Sequence, residues 1–374
     1  MSPEEILACL VSFPSVAGES NRDIVAWIRD YAQSHGASVS AVPGPEGDRA
    51  NLLITVGPKD VPGMILSGHM DVVPAGEADW TSHPFTLRRS DDRLYGRGAT
   101  DMKGFLACAL AALPALAQRN LARPIHLAFS YDEEIGCRGV PHLIAALPSL
   151  CTKPSGCVVG EPSGMRPILA HKGKAAARIT VRGISGHSSR PDLGRNAIHA
   201  MTAVLDAALA ASKSLEAGPF DPTFAPPYST LQIGTIKGGQ AVNIIPDLCV
   251  AELEVRAVTG VLPEAVLAPV KAAVDALRAA GVDAQWQMLS AYPALSLGAG
   301  APLAGLMRDI TDAATIDAVS FGTEAGLYQA AGIDAIICGP GDIARAHRAD
   351  EYICRDELAA CSRMIARLGE RCAA

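Results

Sequence analysis

Residues 63–73 read GMILSGHMDVV, a short apolar run that ends in a histidine and an aspartate. Such a run, bounded by glycine and proline, is typical of a strand buried on both faces. Further runs of this kind are ANLLITVG (50–57), PIHLAFSYDE (124–133), GCVVGEP (156–162) and DAIICGPG (334–341). Helical patterns such as MKGFLACALAALPALAQ (102–118) lie between them. Strands alternating with helices predict an α/β domain with a mostly parallel central sheet flanked by helices.

The middle of the chain has a different pattern. Strand-like runs are AAARITVRG (175–183), TLQIGTIKG (230–238), DLCVAELEVRA (247–257) and DAQWQMLSA (283–291). Helical patterns follow the first and third of them, which gives the order β, α, β, β, α, β of a small ferredoxin-like unit. A chain of 374 residues is also long for one hydrophobic core. We therefore predict an inserted α+β domain at 174–291 and a first domain formed by 1–173 and 292–374.

Composition limits the classes of partner. The formal net charge is −7, and lysine and arginine form no run that would follow a phosphate backbone. The ten cysteines have no CxxC pair, which favours reduced thiols in a cytoplasmic protein. The first residues, MSPEEILACLVSF, lack the basic start of a signal peptide. We predict a cytoplasmic protein that binds neither nucleic acid nor membrane, since no stretch reaches the roughly 20 apolar residues of a membrane span.

The first apolar run ends in two ionisable residues that could bind a metal ion. In an extended strand residues i and i+2 face one side, so His69 and Asp71 share a surface. A metal-binding imidazole commonly donates its other ring N–H to a carboxylate, which orients the ring. The alternative is a core histidine satisfied by its neighbour. The choice depends on whether other ligands are present.

Ionisable residues at comparable positions are Asp101, Glu133, Glu134, Glu161 and His347. Each has an ordinary explanation when taken alone, such as a helix N-cap for Asp101 or a solvated acidic loop for residues 132–134. In open α/β sheets, however, functional groups gather where the loops leave the strand ends. Of the adjacent residues Glu133 and Glu134, one can bind metal while its neighbour works as a base. The remaining set of two histidines and three carboxylates suits zinc, and it can hold two ions if one carboxylate bridges them. The combined set favours a metal site.

Five motifs in this order make the resemblance specific: SGHMDVVP, YGRGATDMKG, DEEIG, GEPSG and GPGDIARAHRADEY. Together they resemble the co-catalytic zinc aminoacylase and carboxypeptidase family, most closely its acetylornithine deacetylase and succinyl-diaminopimelate desuccinylase branch. The resemblance implies two divalent metal ions, zinc with cobalt as a substitute, bridged by Asp101. His69 and Glu161 would complete one site, and Glu134 and His347 the other.

The resemblance also implies three catalytic roles. Asp71 would orient His69, and Glu133 would act as the general base that takes a proton from water and passes it to the leaving amine. His187, in GISGHSSRP, is similar to the family histidine that reaches the active site of the other subunit and donates to the oxyanion. A polar turn beside a strand is the alternative for His187. The inserted domain would then be a lid and the contact of a homodimer.

Four residues are expected to bind the substrate, an N-acyl amino acid. By resemblance, Asn243 and Arg256 hold its backbone, although Arg256 has an alternative partner in Glu254. Thr323 and Glu324, in SFGTEAG, are placed to meet the ligand, and the charge of Glu324 would complement a side-chain ammonium.

The implied reaction is hydrolysis of N-acetyl-L-ornithine to L-ornithine and acetate, a step of arginine biosynthesis. One alternative is deacylation of another N-acyl amino acid, such as N-succinyl-diaminopimelate, or cleavage of a dipeptide. Another is a metal-binding protein without catalysis, which predicts a missing ligand or base. None is missing here.

Overall fold

A computed structural model describes residues 1–373, apart from the side chain of Glu77. The described chain divides into two compact units. The first unit comprises Met1–Ala170, Leu295–Ala318 and the chain from Thr323 onward, and the second comprises His171–Ala294 and Val319–Gly322. The range predicted for the inserted domain, 174–291, lies inside the second unit.

The helices are α1 (Pro3–Val11), α2 (Arg22–Ser34), α3 (Gly104–Gln118), α4 (Val140–Leu150), α5 (Ala197–Leu215), α6 (Pro263–Val266), α7 (Ala268–Ala279), α8 (Pro302–Thr311), α9 (Ala325–Ala330) and α10 (Arg355–Cys372). The strands are β1 (Ser38–Pro43), β2 (Ala50–Val56), β3 (Met64–His69), β4 (Arg88–Ser90), β5 (Arg93–Tyr95), β6 (Ile125–Ser130), β7 (Gly156–Pro162), β8 (Ala170–His171), β9 (Gly173–Arg182), β10 (Thr230–Gly238), β11 (Leu248–Ala257), β12 (Asp283–Tyr292), β13 (Leu295–Ser296), β14 (Ala335–Gly339) and β15 (Tyr352–Cys354).

The first unit contains a six-stranded sheet in the order β1-β2-β6-β3-β7-β14. Strands β6, β3, β7 and β14 run parallel, whereas β1 and β2 join them in antiparallel pairs. Every residue of the four parallel strands is buried, which explains their continuous apolar sequences. The predicted mostly parallel sheet is therefore confirmed. Its parallel strands bring their carboxyl ends to one edge.

Helix α3 packs in the core of this unit. With the irregular turn before it, Ala99–Lys103, it forms a stretch of 20 residues that is long and apolar enough to cross a membrane. The expectation that no segment reaches that length is therefore wrong. Of its apolar window of 18 residues, 78% is buried within the protein, as expected for a core helix. Phe105 lies over Gly160 of β7 so closely that a Cβ at position 160 would overlap its ring.

The second unit is a four-stranded antiparallel sheet in the order β10-β11-β9-β12, with helices α5 and α7 packed together over it. The residues of strand β9 show that this sheet has one covered face. Ala175, Ala177, Ile179 and Val181 are wholly buried, whereas the residues between them are half-buried or exposed. This alternation and strand order confirm the predicted ferredoxin-like unit.

Candidate metal centre

The predicted metal ligands lie together in the first unit, and the sheet explains why. His69 is the last residue of β3, and Glu161 lies near the end of β7. Glu134 follows β6, whose last residue is Ser130, and His347 lies in the loop after β14. Asp101 comes from the turn Ala99–Lys103 that precedes α3. Four of the five side chains are therefore placed by the carboxyl ends of neighbouring parallel strands.

Asp101 faces both histidines, each with a different oxygen. Its Oδ1 lies 3.1 Å from Nε2 of His69, and its Oδ2 lies 3.2 Å from Nε2 of His347. Beside these contacts, Nε2 of His69 lies 3.6 Å from Oε1 of Glu161. Nε2 of His347 lies 3.0 Å from Oε2 of Glu134. The five side chains thus form two groups of three that share Asp101.

These separations suit metal ligands. Donor atoms placed tetrahedrally at zinc distances of 2.0–2.2 Å lie about 3.3 Å from one another. The four nitrogen-to-oxygen distances of the two groups, 3.1, 3.6, 3.2 and 3.0 Å, lie close to that value. Donor atoms of a further group, His69, Glu133 and Glu161, also lie within 4.8 Å of one another. The set combines imidazole nitrogen with carboxylate oxygen, as zinc prefers, so the residues present fit two divalent ions.

The pKa values of the ligand side chains also favour a bound cation. Hydrogen bonds to Asp101 and Glu134 raise the pKa of His347 to about 10. Burial acts to lower the pKa of His69, but Asp101 and the nearby acids raise it well above its usual value. Burial also raises the pKa of Glu161 well above the usual range for glutamate. The site thus concentrates negative charge that a buried cation would compensate.

Asp71 supports the centre differently from the prediction. Nδ1 of His69 lies 2.9 Å from the backbone oxygen of Asp71 but 3.7 Å from its carboxylate. The carboxylate instead accepts hydrogen bonds from the backbone N–H groups of Glu133 and Glu134, each at 3.1 Å. Strand β3 ends at His69, so the alternation of side chains does not continue to residue 71. Asp71 therefore orients the ring through its carbonyl and holds the acidic loop through its carboxylate.

Glu133 lies beside the proposed metal ligands His69 and Glu161, but it belongs to neither of the two groups that share Asp101. Its Oε1 accepts a hydrogen bond from Sγ of Cys137 at 3.3 Å. Burial and the neighbouring acids raise the pKa of Glu133 to about 8, although His69 opposes the shift. A carboxyl group with a pKa near neutrality can both accept and release a proton at working pH. This property suits the predicted general base.

Thr323 and Glu324, the other predicted substrate-binding residues of the first unit, have partners within the protein. Both are buried, with Glu324 only 1% exposed. The hydroxyl of Thr323 accepts a hydrogen bond from the backbone N–H of Ala325 at the start of α9. The carboxylate of Glu324 accepts hydrogen bonds from Ser130 and Ser67 at the strand ends. These partners favour a supporting role for Glu324 in the sheet, and its contact with a substrate ammonium stays a prediction.

The burial of Glu324 leads to an expected result. We expect Glu324→Gln to leave the ratio of the activities on acetylornithine and on acetylated neutral amino acids unchanged, because the carboxylate is enclosed by hydroxyl groups. The ratio of kcat/KM for acetylornithine and acetylmethionine measures this property. A selective loss for acetylornithine would place Glu324 in contact with the substrate after all.

The remaining predicted residues lie in the second unit. His187 is exposed, and its Nδ1 lies 2.8 Å from Oγ of Ser189. The backbone oxygen of Asn243 accepts a hydrogen bond from the N–H of Ser188, so the structure brings His187 and Asn243 close together. Arg256 is half-buried, and its Nε donates to Oε1 of Glu254 at 2.7 Å. The alternative partner of Arg256 is thus present in the structure.

Sequence patterns did not indicate two buried charged residues of the first unit. Arg97 and Glu351 are 4% and 1% exposed and form an ion pair of 2.8 Å beside the turn that carries Asp101. Both lie inside motifs that were recognised, YGRGATDMKG and HRADEY. Their presence in those motifs is the only signal that could have found them.

Comparison with known proteins places this geometry in a family. The model of the family described as peptidase family M20/M25/M40 matches residues 65–371. The acetylornithine deacetylase of Edwardsiella ictaluri is 31% identical over 361 residues, which cover 93% of this chain and 91% of that protein. The acetylornithine deacetylase of Photorhabdus laumondii is 31% identical over 366 residues, with coverage of 93% and 91%.

Solved structures agree on the fold. The M20 family metallo-carboxypeptidase Sso-CP2 of Sulfolobus solfataricus superposes with a TM-score of 0.81 at 18% identity, and 99% of each chain is covered. The YXEP protein of Bacillus subtilis, described as a dinuclear metal-binding peptidase, gives a TM-score of 0.65 at 16% identity, covering 98% of this chain and 96% of its own. With the family match over most of its length, the chain belongs to peptidase family M20/M25/M40 and is a metal-dependent hydrolase of that family.

Proposed function

We propose that this enzyme hydrolyses N-acetyl-L-ornithine to L-ornithine and acetate, the step that would supply ornithine for arginine biosynthesis. The observation that carries the chemistry is the carboxylate of Asp101, whose two oxygens each face a different histidine. The choice of substrate is supported by the relatives that are 31% identical and named acetylornithine deacetylase. The metals proposed are two zinc ions, for which cobalt can substitute.

When bound, the two ions supply Lewis acidity and lower the pKa of water at the site. The residues of the chain do the rest. His69 and Glu161 would hold one ion, Glu134 and His347 the other, and Asp101 both. Glu133 receives a proton at its carboxylate and delivers it to the amine that leaves as the amide bond breaks. The hydrogen bonds from the loop 133–134 to Asp71 fix the position of Glu133 for this transfer.

We also propose a cytoplasmic homodimer formed through the second unit. Strand β10 is an edge strand of its sheet, and most of its residues are exposed. Ile236 on that strand and Leu209 on helix α5 are 51% and 61% exposed. An open edge with exposed apolar residues is a surface that a second copy can cover. In such a dimer, we propose, His187 donates a hydrogen bond to the oxyanion in the active site of the other subunit.

His187→Ala is expected to lower kcat by about 10²–10³-fold, the usual cost of removing one oxyanion donor. Zinc content should be unchanged because the five proposed metal ligands belong to the first unit, and the dimer should persist because His187 belongs to neither β10 nor α5. Steady-state kinetics, metal analysis and sedimentation velocity measure the three properties. His199→Ala, which removes another exposed histidine of the same unit, is the matched control. Near-normal turnover of the His187 variant would contradict the role.

A panel of substrates tests the proposed reaction. Purified enzyme loaded with zinc or with cobalt is assayed on N-acetyl-L-ornithine, acetylated neutral amino acids, N-succinyl-diaminopimelate and dipeptides. We expect the largest kcat/KM for N-acetyl-L-ornithine. A clear preference for the succinylated compound or for a dipeptide would contradict the proposed substrate while leaving the metal centre intact.

A further inference from the structure

The buried ion pair of Arg97 and Glu351 joins two strands that lie next to the metal centre. Glu351 immediately precedes β15, and Arg97 lies two residues after β5. These strands pair antiparallel, with Tyr95 opposite Tyr352. The pair itself is a contact of 2.8 Å from Nη1 of Arg97 to Oε2 of Glu351. Burying two charges is costly unless both are hydrogen-bonded, and both residues of this pair have further hydrogen-bond partners.

The carboxylate of Glu351 binds the backbone of the turn that carries Asp101. Its Oε2 accepts the N–H of Gly98 at 3.0 Å, and its Oε1 accepts the N–H groups of Thr100 and Asp101 at 2.9 and 3.0 Å. Backbone N–H groups that converge in this way form a small anion-binding nest. The turn starts at Gly98 with φ of +79°, a conformation that favours glycine. One carboxylate therefore sets the path of the backbone from which Asp101 projects.

Arg97 extends the connection to two other loops of the centre. Its Nη1 donates to the backbone oxygen of Arg348 at 3.3 Å, next to His347. Its Nη2 donates to the backbone oxygen of Pro74 at 3.5 Å, in the loop that follows His69 and Asp71. The pair therefore contacts three chain segments. One carries Asp101, one carries His347, and one follows Asp71, whose carbonyl orients His69.

The two proposed metal positions depend on this pair to different degrees. His69 and Glu161 belong to buried strands, β3 and β7, whose geometry is fixed by the sheet. The side chain of His347 is 52% exposed, and its residue has a φ of +60° in a loop. The position formed by His347 and Glu134 therefore relies more on the contacts that hold its loop.

From these contacts we propose that Arg97 and Glu351 are positioning residues that hold Asp101 and the His347 loop in register, so that one carboxylate can face two ions. The inference rests on the metal centre of the proposed function. Without the pair, both ions would lose a correctly placed Asp101. The ion held by His69 and Glu161 would keep two strand-borne ligands, whereas the ion held by His347 and Glu134 would also lose the placement of His347. The signature is an unequal loss of affinity for the two ions.

Glu351→Gln tests this directly, because glutamine keeps the shape but offers one acceptor oxygen and no charge to Arg97. Metal-free protein is titrated with zinc in a calorimeter. We expect the affinity for one ion to fall about 10–100-fold, the usual cost of losing a group that orients a metal ligand, and the affinity for the other to fall clearly less. At saturating zinc, kcat should recover most of the wild-type value.

Glu4→Gln is the matched control. Glu4 also pairs with arginines of the first unit, Arg89 and Arg355, but these hydrogen bonds hold neither the turn of Asp101 nor the segment that carries His347. Its two zinc affinities should match those of the wild type. Folded Glu351→Gln protein that binds both ions with wild-type affinity, or that weakens both equally, would overturn the inference.

A second variant tests the positioning role of the pair if Glu351→Gln fails to fold. Arg97→Lys keeps the charge but loses the planar fork that reaches two further backbone oxygens. It should show the same unequal loss, and wild-type affinities in this variant would overturn the inference. Wild-type protein that binds fewer than two zinc ions would instead contradict the metal centre itself. The failure of the inference and that of the proposed function are therefore distinguishable.

Discussion

Glu133→Gln is expected to lower kcat by about 10²–10⁴-fold while two metal ions remain bound. Glutamine occupies the same space but cannot carry the proton that the carboxylate takes up and releases. The metal content is expected to persist because the three-residue groups around Asp101 do not include Glu133. Turnover of acetylornithine and metal analysis by mass spectrometry measure the two effects.

The matched control for this variant is Glu216→Gln, which removes an exposed carboxylate just after α5 and should behave as the wild type. Turnover of the Glu133 variant within a few-fold of normal would show that another group carries the proton. Loss of one metal ion together with activity would show that Glu133 is a ligand. The closeness of its carboxylate to His69 and Glu161 makes that second outcome a real test.

Asp101→Asn is expected to have the largest effect of all. An amide can offer a single oxygen in place of the two that face His69 and His347. At least one ion loses a ligand and both lose the negative charge that attracts them, so the metal content should fall below two ions per chain. The loss of kcat/KM should be at least as large as the about 10²–10⁴-fold expected for a missing general base.

Asp60→Asn, at an exposed position of the same unit, is its control and should retain metal and activity. Circular dichroism shows whether the Asp101 variant is folded. A folded variant that still binds two ions would contradict the bridging role of Asp101.

Much of the fold and of the metal centre could be predicted because the decisive information is local. An apolar run bounded by glycine and proline predicts a buried strand, and the polar residue at its end marks the edge where parallel strands meet. His69 and Glu161 were found in this way, and the structure places them 3.6 Å apart. The strand order of the second unit likewise follows from the order of its elements along the chain.

What could not be predicted depends on burial and on contacts distant in sequence. The charge of Glu324 suggested a substrate contact, but the three-dimensional fold encloses the side chain among serine hydroxyls. The hydrogen bond from the N–H of Asp101 to Glu351 joins residues 250 positions apart, which no local pattern reveals. The role of Asp71 depended on where β3 ends, and sequence patterns fix such boundaries only to within a few residues.

The central claim is that Asp101 bridges two metal ions, and anomalous diffraction from crystals of zinc-loaded protein tests it most directly. The account predicts two anomalous peaks on either side of the Asp101 carboxylate. One should lie against His69 and Glu161, and the other against His347 and Glu134. A single peak, or two peaks of which only one contacts Asp101, would contradict the account.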